Sequence, residues 1–322
     1  MARSLDARKP PVRPPDDVED AARRRSEARA SRDYDTADRL RAEIEAAGWR
    51  VVDSGTSFRL ERASPPDVEV GGEIRYGRSD AVPSRFGEPA TGLATVVVNA
   101  SPDGEENAAA IEALRMTAPA EVDAVVVADG LPDEAVADLS SESSLPLEVV
   151  RTSAMLGHAA AINIGIRRAT APIVVVLDPS ISAAGDIVTP LVRALDDPGV
   201  ATAGPFGLRS ADLRQFEETE ADDAVAIAGY LMAFRRSDAE RLGPLDEAFR
   251  FYRNLDIWWS LALRDGGEGV VPRRAAVVSG LPLQRGEPAA WRLTPPAVRD
   301  RLSKRNFYRL LDRFRARLDL AS

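Results

Sequence analysis

GHAAAINIGIRRATAPIVVVLDPS, residues 157–180, is the stretch whose reading decides the fold. Its second half, residues 172–177, is a short apolar run rich in β-branched side chains. That composition predicts a strand buried on both faces, as in a parallel sheet. The run stops at Asp178-Pro179-Ser180, so a carboxylate stands just past the carboxyl end of a central strand. Open α/β sheets bind ligands at that edge. The first half predicts a helix, with Ala159, Ile162, Ile166 and Ala169 at helical spacing and Gly157 near its start. Its small residues predict close packing on the sheet.

Working outward, the alternation of strand and helix continues on both sides. Residues 94–99 (ATVVVN) read as a first strand, 106–117 as a helix, and 122–127 as a second strand running into Ala128-Asp129-Gly130. Residues 133–139 read as a helix and 147–150 as a third strand. Beyond the opening stretch, 185–195 read as a helix, 200–207 as a fifth strand, and 224–235 as a further strand region with Gly229 within it. Alternation at this spacing implies parallel strands joined by right-handed crossovers. Asn99, Asp129 and Asp178 then share one edge of the sheet. For Asp129 an ordinary turn acid beside Gly130 is an equal reading.

Length and composition bound the chemistry. The chain has 322 residues, 44% of them hydrophobic, with a net charge of −9. It has no cysteine and one histidine, His158. Disulfides, zinc thiolates and cysteine catalysis are excluded, and histidine-rich metal sites have no material. No signal peptide is read at the N-terminus, so a cytoplasmic protein is the expectation. Residues 1–16, which include RKPPVRPP, read as a disordered tail. Residues 17–62 read as a helical hairpin followed by a β-hairpin across residues 54–56, with Asp17 as a first cap and Gly48 as a helix stop. Residues 63–92, rich in Pro, Gly and Ser, read as a linker. Residues 93–284 form the acidic main domain and 285–322 a basic C-terminal segment.

That segment is strongly amphipathic. Phe307, Leu310, Leu311, Phe314 and Leu318 make one stripe, with arginine and lysine on the other positions. Such a helix lies peripherally on an anionic membrane or docks on the acidic domain, and docking is the favoured expectation. Trp258, Trp259 and Trp291 read either as sugar-stacking residues or as core.

Two separated blocks carry a resemblance. Gly157, Ala159, Ala161, Asn163 and Gly165, followed by the strand and Leu177-Asp178-Pro179, resemble family 2 glycosyltransferases of the GT-A fold. So do Arg235-Arg236, Gly243-Pro244-Leu245-Asp246-Glu247 and Phe249 further on. The resemblance implies a GT-A-like, nucleotide-diphospho-sugar transferase fold: an α/β, mostly parallel sheet flanked by helices, here with a small N-terminal helical hairpin module. It implies inverting transfer of a sugar from a nucleoside diphosphate sugar to a hydroxyl on a glycan or lipid-linked acceptor. Asn99 and Asp129 would contact the nucleotide base, and Gly157, Asn163 and Asp178 the rest of the donor.

The chain departs from the family at two places. The strand ends there in D-x-D, whose second acid holds Mg²⁺ or Mn²⁺ through the diphosphate; here Ser180 stands at that position, leaving Asp178 alone. Arg167, Arg168, Arg235 or Arg236 are then the candidates to share the diphosphate charge. The family's E-D pair, whose aspartate is the general base, is Arg253-Asn254 here. An amide has no useful basicity. Asp256 keeps the next acid and is either the substitute base or a cap for the helix from residue 257. Two other readings follow: a non-catalytic protein that binds a nucleotide-sugar, glycan or protein partner, and a tRNA-associated protein. The latter rests on RSEARASRDYDTADRLRAEIEAAGWRVVDS, which resembles the small C-terminal domain of cysteinyl-tRNA synthetases. Arg23, Arg24, Arg25, Arg29 and Arg32 would meet phosphates there. The segment is nearly neutral, so a solvated helix face is favoured and an RNA partner is not expected.

Overall fold

The computed structural model describes residues 14–54, 57–140 and 144–321, which fall into two compact units divided after Pro66. In the first unit α1 (Asp16–Ala30) and α2 (Tyr34–Ala46) pack as a hairpin, followed by β1 (Trp49–Ser54) and β2 (Ser57–Arg62) paired antiparallel. Asp33 caps α2 by accepting from the Thr36 amide at 3.1 Å. Asp17 lies inside α1 and caps nothing. Val18, Ala22, Ile44 and Trp49 form the buried centre of the unit. Arg25 is buried against Asp53 at 3.0 Å, and Arg29 pairs with the same carboxylate. Arg23 also pairs with Asp20, at 2.6 Å, so three of the five arginines that the synthetase resemblance assigns to phosphates are ion-paired within the module. Residues 1–13 of the expected tail, and residues 55–56 of the hairpin turn, lie outside the described residues.

The second unit opens with β3 (Val68–Val70) and β4 (Glu73–Arg75), then β5 (Ala94–Asn99), α3 (Gly104–Thr117), β6 (Val122–Ala128) and β7 (Leu147–Arg151). The opening stretch is α4 (His158–Arg168) and β8 (Ile173–Leu177), followed by β9 (Ile181–Ala183), α5 (Thr189–Ala194) and β10 (Val200–Gly204). Short strands β11 (Gly207–Arg209), β12 (Glu217–Thr219), β13 (Asp223–Ala224) and β14 (Ala226–Ile227) lead to β15 (Leu231–Arg235). Then come α6 (Arg236–Leu242), α7 (Leu255–Arg264), β16 (Arg274–Val277), β17 (Leu283–Arg285), α8 (Ala289–Leu293) and α9 (Pro296–Phe314). Residues 133–140 are 3₁₀ rather than α-helical, and α5 is shorter than the helix expected over 185–195.

The central sheet runs β13-β16-β10-β15-β8-β5-β6-β7. Strands β8, β5, β6 and β7 are parallel, and β10 is parallel to β16. The stretch 224–235 is not one strand. It breaks at Gly229, and β15 enters antiparallel between β8 and β10. Alternate residues of the central strands face opposite layers. Val97 and Val174 meet α4 and α7, while Val96, Val98 and Val175 meet α3 and α5.

Residues 67–92 are not a linker. Tyr76 bridges Thr152 beside β7, and Val82 is buried with Ile164 under α4. Arg167 donates to the Val82 carbonyl at 3.1 Å, and Arg236 donates to the carbonyls of Arg85 and Glu88. Pro and Gly let this segment follow the domain surface, and side-chain donors satisfy its carbonyls. A chain starting at Asp67 is expected to melt cooperatively within a few degrees of the full chain, as differential scanning calorimetry will read. One starting at Leu93 is expected to lose the transition.

The apolar stripe of α9 docks rather than standing free. Leu310 and Phe314 are buried with Trp258 of α7, and Arg313 lies 4.5 Å over that indole. Among the described residues no helix is long and apolar enough to cross a membrane.

Candidate functional site

Register brings the candidate residues together. Val98 pairs with Leu177 and Asn99 with Val127, so the carboxyl ends of β5, β6 and β8 finish level. Asn99, Asp129 and Asp178 therefore line one cleft of about 410 Å³, within the range of small-molecule sites. Antiparallel β15 delivers Gly229 and Tyr230 to the same edge, because Leu231 pairs with Leu177. The Asp178 amide donates to the Tyr230 carbonyl at 2.9 Å, and the Gly229 amide donates to Asp256 Oδ2 at 2.9 Å. Asp178 and Asp256 thus converge from opposite sides of one turn. Both line a smaller pocket off the cleft, with His158, Tyr230 and Tyr252.

The same antiparallel entry sends the arginine pair away. Arg235 pairs with Ile173 at the far end of β8, four residues and about 13 Å from Leu177. Its guanidinium holds the carbonyls of Leu195, Val200 and Asp197. Arg236 is buried on carbonyls of the 85–88 segment, Arg167 on Val82 and Asp80, and Arg168 on Glu148 and Pro83. None of the four expected diphosphate arginines reaches the cleft. Asn163 is also elsewhere. Its amide donates to the Leu245 carbonyl and Glu247 Oε1, each at 3.0 Å, and accepts from the Leu245 amide at 2.8 Å. It anchors the loop before α7 instead of touching a donor.

Asn254 points away from the cleft as well. It takes a left-handed conformation (φ 67°) at the cap of α7, and its Nδ2 donates to the Ser303 carbonyl of α9 at 3.1 Å. Asp256, in the first turn of α7, is not the cap. Its Oδ1 accepts from the Ile257 amide at 2.9 Å while Oδ2 takes Gly229. Burial pushes the Asp256 carboxyl above the usual carboxylate range, against the pull of those amides and of Arg253.

Asp129 is almost wholly occupied by its own loop. It accepts from the Leu156 amide at 2.7 Å, the Gly157 amide at 2.8 Å and the Thr152 hydroxyl at 3.0 Å. Burial raises its pKa despite these bonds. Gly157 holds φ 110° at the start of α4, and a Cβ there would sit 2.9 Å from Arg250 Cα. Only glycine lets the loop pass so close. Asp178 is raised by burial too, and the Ser180 bonds oppose that. Its Oδ1 accepts from both the Ser180 amide (2.9 Å) and hydroxyl (2.6 Å).

Sequence reasoning missed several lining residues. His158 sits 3.0 Å from Asn99 Nδ2 through Nδ1, and burial pulls it down to about 4, so the ring is neutral. Asn99 Oδ1 is buried with no partner. Burial pushes the Tyr252 hydroxyl up to about 12. Arg250 lines the cleft mouth, donating to the Leu156 carbonyl at 3.2 Å. The tail closes one side: Ala289, Leu293 and Val298 line the cleft, and Arg292 pairs with Glu106 at 3.1 Å. Position after Gly157 was the only signal for His158. The tail residues had none, since they arrive by docking.

Residues 99–253 match the family model described as Glycosyl transferase family 2. The second unit has a GT-A-like fold. A crystal structure of GalNAc-T7 with UDP, GalNAc and Mn²⁺ superposes with a TM-score of 0.54 at 14% identity, covering 69% of this chain and 48% of that one. The chain thus spans about half the length of that relative. A mannosyltransferase, PcManGT from Pyrobaculum calidifontis in complex with GDP-Man and Mn²⁺, is 20% identical, with coverages of 76% and 78% and a TM-score of 0.47. TarS residues 1–349 of S. aureus is 12% identical, with coverages of 70% and 73% and a TM-score of 0.47. No curated protein matches the chain. The Glycosyl transferase family 2 match runs from Asn99, the last residue of β5, to Arg253, so it includes Asp129 and Asp178 and stops short of Asp256.

A divalent metal is not well served by these residues. The Ser180 hydroxyl donates its proton to Asp178 and is neutral, and among the described residues no three His, Cys, Asp or Glu side chains gather as a metal site. Hard cations take several oxygen ligands.

Proposed function

We propose that the chain transfers a sugar from a uridine or thymidine diphosphate sugar to a hydroxyl of a glycan or lipid-linked acceptor, with inversion. The observation that carries this is the convergence of Asp178 and Asp256 on the Gly229–Tyr230 turn, at the small pocket off the cleft at the carboxyl edge of the sheet. The nucleotide lies toward Asn99 and the Asp129 loop, the sugar toward Asp178. Asp256 takes the proton of the acceptor hydroxyl as that oxygen attacks the anomeric carbon. The new C–O bond forms while the bond to the diphosphate breaks, and its electron pair leaves on phosphate. Arg250 and Arg253 offset the leaving charge. No step is assigned to a metal. A raised carboxyl is the stronger base once ionised, which suits general-base work.

Titration calorimetry with UDP-glucose and UDP-N-acetylglucosamine tests the donor site. Binding is expected, weakened at least about tenfold by Asp178→Ala. No heat with either sugar overturns the reading. Repeating it in Mn²⁺ and in EDTA tests the metal. Wild-type affinity is expected to change less than about threefold, and Ser180→Asp to gain Mn²⁺-dependent binding, because a second carboxylate supplies the missing charge. Complete loss of wild-type binding in EDTA would show a working metal site.

Asn254, bonded to the Ser303 carbonyl, favours one competing reading, a donor-binding protein without turnover. Donor binding with no UDP release in the presence of acceptors would select it.

A further inference from the structure

His158 has no part in the transfer proposed above, and it is the chain's one histidine. Asn99, at the carboxyl end of β5, places its Nδ2 3.0 Å from His158 Nδ1. An amide nitrogen only donates, so Nδ1 accepts and the ring proton stands on Nε2. Turning the amide over would exchange one orphan oxygen, the buried Asn99 Oδ1, for two unmatched N–H groups in the same place, a larger loss. His158 is the first residue of α4, and the positive end of that helix disfavours an imidazolium. Burial acts in the same direction and pulls the ring down to about 4. Tyr252 packs edge-on against it, with ring centroids 6.1 Å apart. Nε2 meets no partner among the described residues, yet it is not one of the buried polar atoms that lack one. It therefore reaches open space, and the ring lines both the cleft and the smaller pocket off it.

From this geometry we infer that His158 donates its Nε2–H to an oxygen of the diphosphate in the nucleotide-sugar, and that Asn99 is the positioning residue that keeps the proton there. The inference rests on the donor-site reading above and deepens it. The ring is bonded to Asn99, on the nucleotide side, and shares the smaller pocket with Asp178, on the sugar side. The diphosphate is the part of the molecule that joins those two sides. At this end of α4 the backbone has little left to give an anion. The His158 and Ala159 amides already serve the Arg250 and Phe249 carbonyls, at 3.2 and 3.1 Å. The imidazole N–H is the donor that remains. Being uncharged, it costs less to hold in a buried place than a cation would.

The test uses nuclear magnetic resonance on the full chain. Histidine-selective isotope labelling gives a single pair of ring nitrogens, because there is one histidine. At neutral pH Nε2 is expected to carry the proton and Nδ1 to be bare. In Asn99→Asp, whose carboxylate cannot donate, Nδ1 is expected to become protonated. Saturating UDP is expected to move the wild-type Nε2 resonance, whereas uridine, which has no phosphate, is expected to leave it in place. By titration calorimetry His158→Phe, which keeps a ring and loses the N–H, is expected to weaken UDP at least about tenfold. His158→Gln, whose amide nitrogen can reach the Nε2 position, is expected to stay within about threefold of wild type. Thermal melts show whether each variant is folded, and the wild-type resonances need no variant. A proton on Nδ1 in the wild type, or UDP binding that leaves Nε2 unmoved, overturns the inference and leaves the nucleotide site standing. UDP affinity unchanged in folded His158→Phe also overturns it. Equal movement of Nε2 with uridine and with UDP assigns the bond to the nucleoside and overturns the diphosphate assignment. Binding of neither UDP nor UDP-glucose overturns the donor-site reading, and this inference with it.

Discussion

Asp256→Asn is expected to lower kcat by about 10³-fold while leaving donor affinity within a few fold, because general-base catalysis contributes roughly 10²–10⁴. The amide is isosteric and keeps an oxygen to accept from the Gly229 or Ile257 amide, so the turn that also holds Asp178 survives. It cannot take the acceptor proton. The pH profile supplies an independent check. Burial raises the Asp256 carboxyl, so the wild-type rate should fall as pH drops through a value above the ordinary carboxylate range. The stability linkage has the opposite sense. A carboxyl raised in the folded state favours folding at low pH, and that contribution is lost as pH rises through the folded pKa. Asp256→Asn should therefore abolish the acid limb of the rate and cost little stability at neutral pH. A variant that retains a tenth or more of wild-type kcat removes Asp256 from the base role. Asn254→Asp provides the contrast. Its side chain faces the Ser303 carbonyl of α9, so it is expected to restore nothing, and it places a carboxylate against a carbonyl oxygen.

Gly165→Val is expected to destabilise the second unit by at least about 3 kcal/mol, seen as a fall in Tm on the order of 10 °C. Helix propensity alone argues the other way, since glycine in a helix interior costs up to about 1 kcal/mol. Packing decides the outcome. A Cβ at residue 165 would stand 2.1 Å from Val97 Cγ1 and 3.0 Å from Cγ2. Val97 is fully buried in β5, with β6 and β8 bonded on either side, so it has no room to withdraw. Helix α4 must then lift off the sheet, which also disturbs Gly157 and the Asp129 loop. The double variant Gly165→Ala with Val97→Ala is expected to recover most of what Gly165→Ala loses, because the second change vacates the space the first requires. A Tm for Gly165→Val at or above wild type would show that α4 does not pack this closely.

Residues 157–180 show what was legible before folding. The small residues of α4, the buried strand and the acid at its end are local properties, set by side-chain volume, β-branching and periodicity. The level finish of β5, β6 and β8 followed from the alternation of strands and helices. Asn99, Asp129 and Asp178 therefore arrive on one edge as the pattern implies. The resemblance assigns Asn163 and the Arg235-Arg236 pair to the same donor, yet their side chains hold backbone carbonyls elsewhere. Nothing local distinguishes a side chain that meets a ligand from one that caps a neighbouring carbonyl, since both need the same donors. The linker reading of residues 63–92 failed for a related reason. Proline and glycine mark irregular backbone, and irregular backbone packs as firmly as any strand when arginines such as Arg167 and Arg236 satisfy its carbonyls.

By itself the sequence determined the α/β class, the central strand with its terminal acid, the absence of cysteine chemistry and a serine two residues after Asp178. The tertiary structure alone decided that β15 runs antiparallel. That choice depends on the break at Gly229 and on pairing with two distant strands. It carries Gly229 and Tyr230 to the site and Arg235 to the far end of the sheet. It also decided that Asp256, and not Asn254, lines the small pocket off the cleft. The two stand two residues apart at the start of one helix, and which of them turns inward depends on what packs against that helix. Here α9 takes the Asn254 amide and the Gly229 turn takes the Asp256 carboxylate.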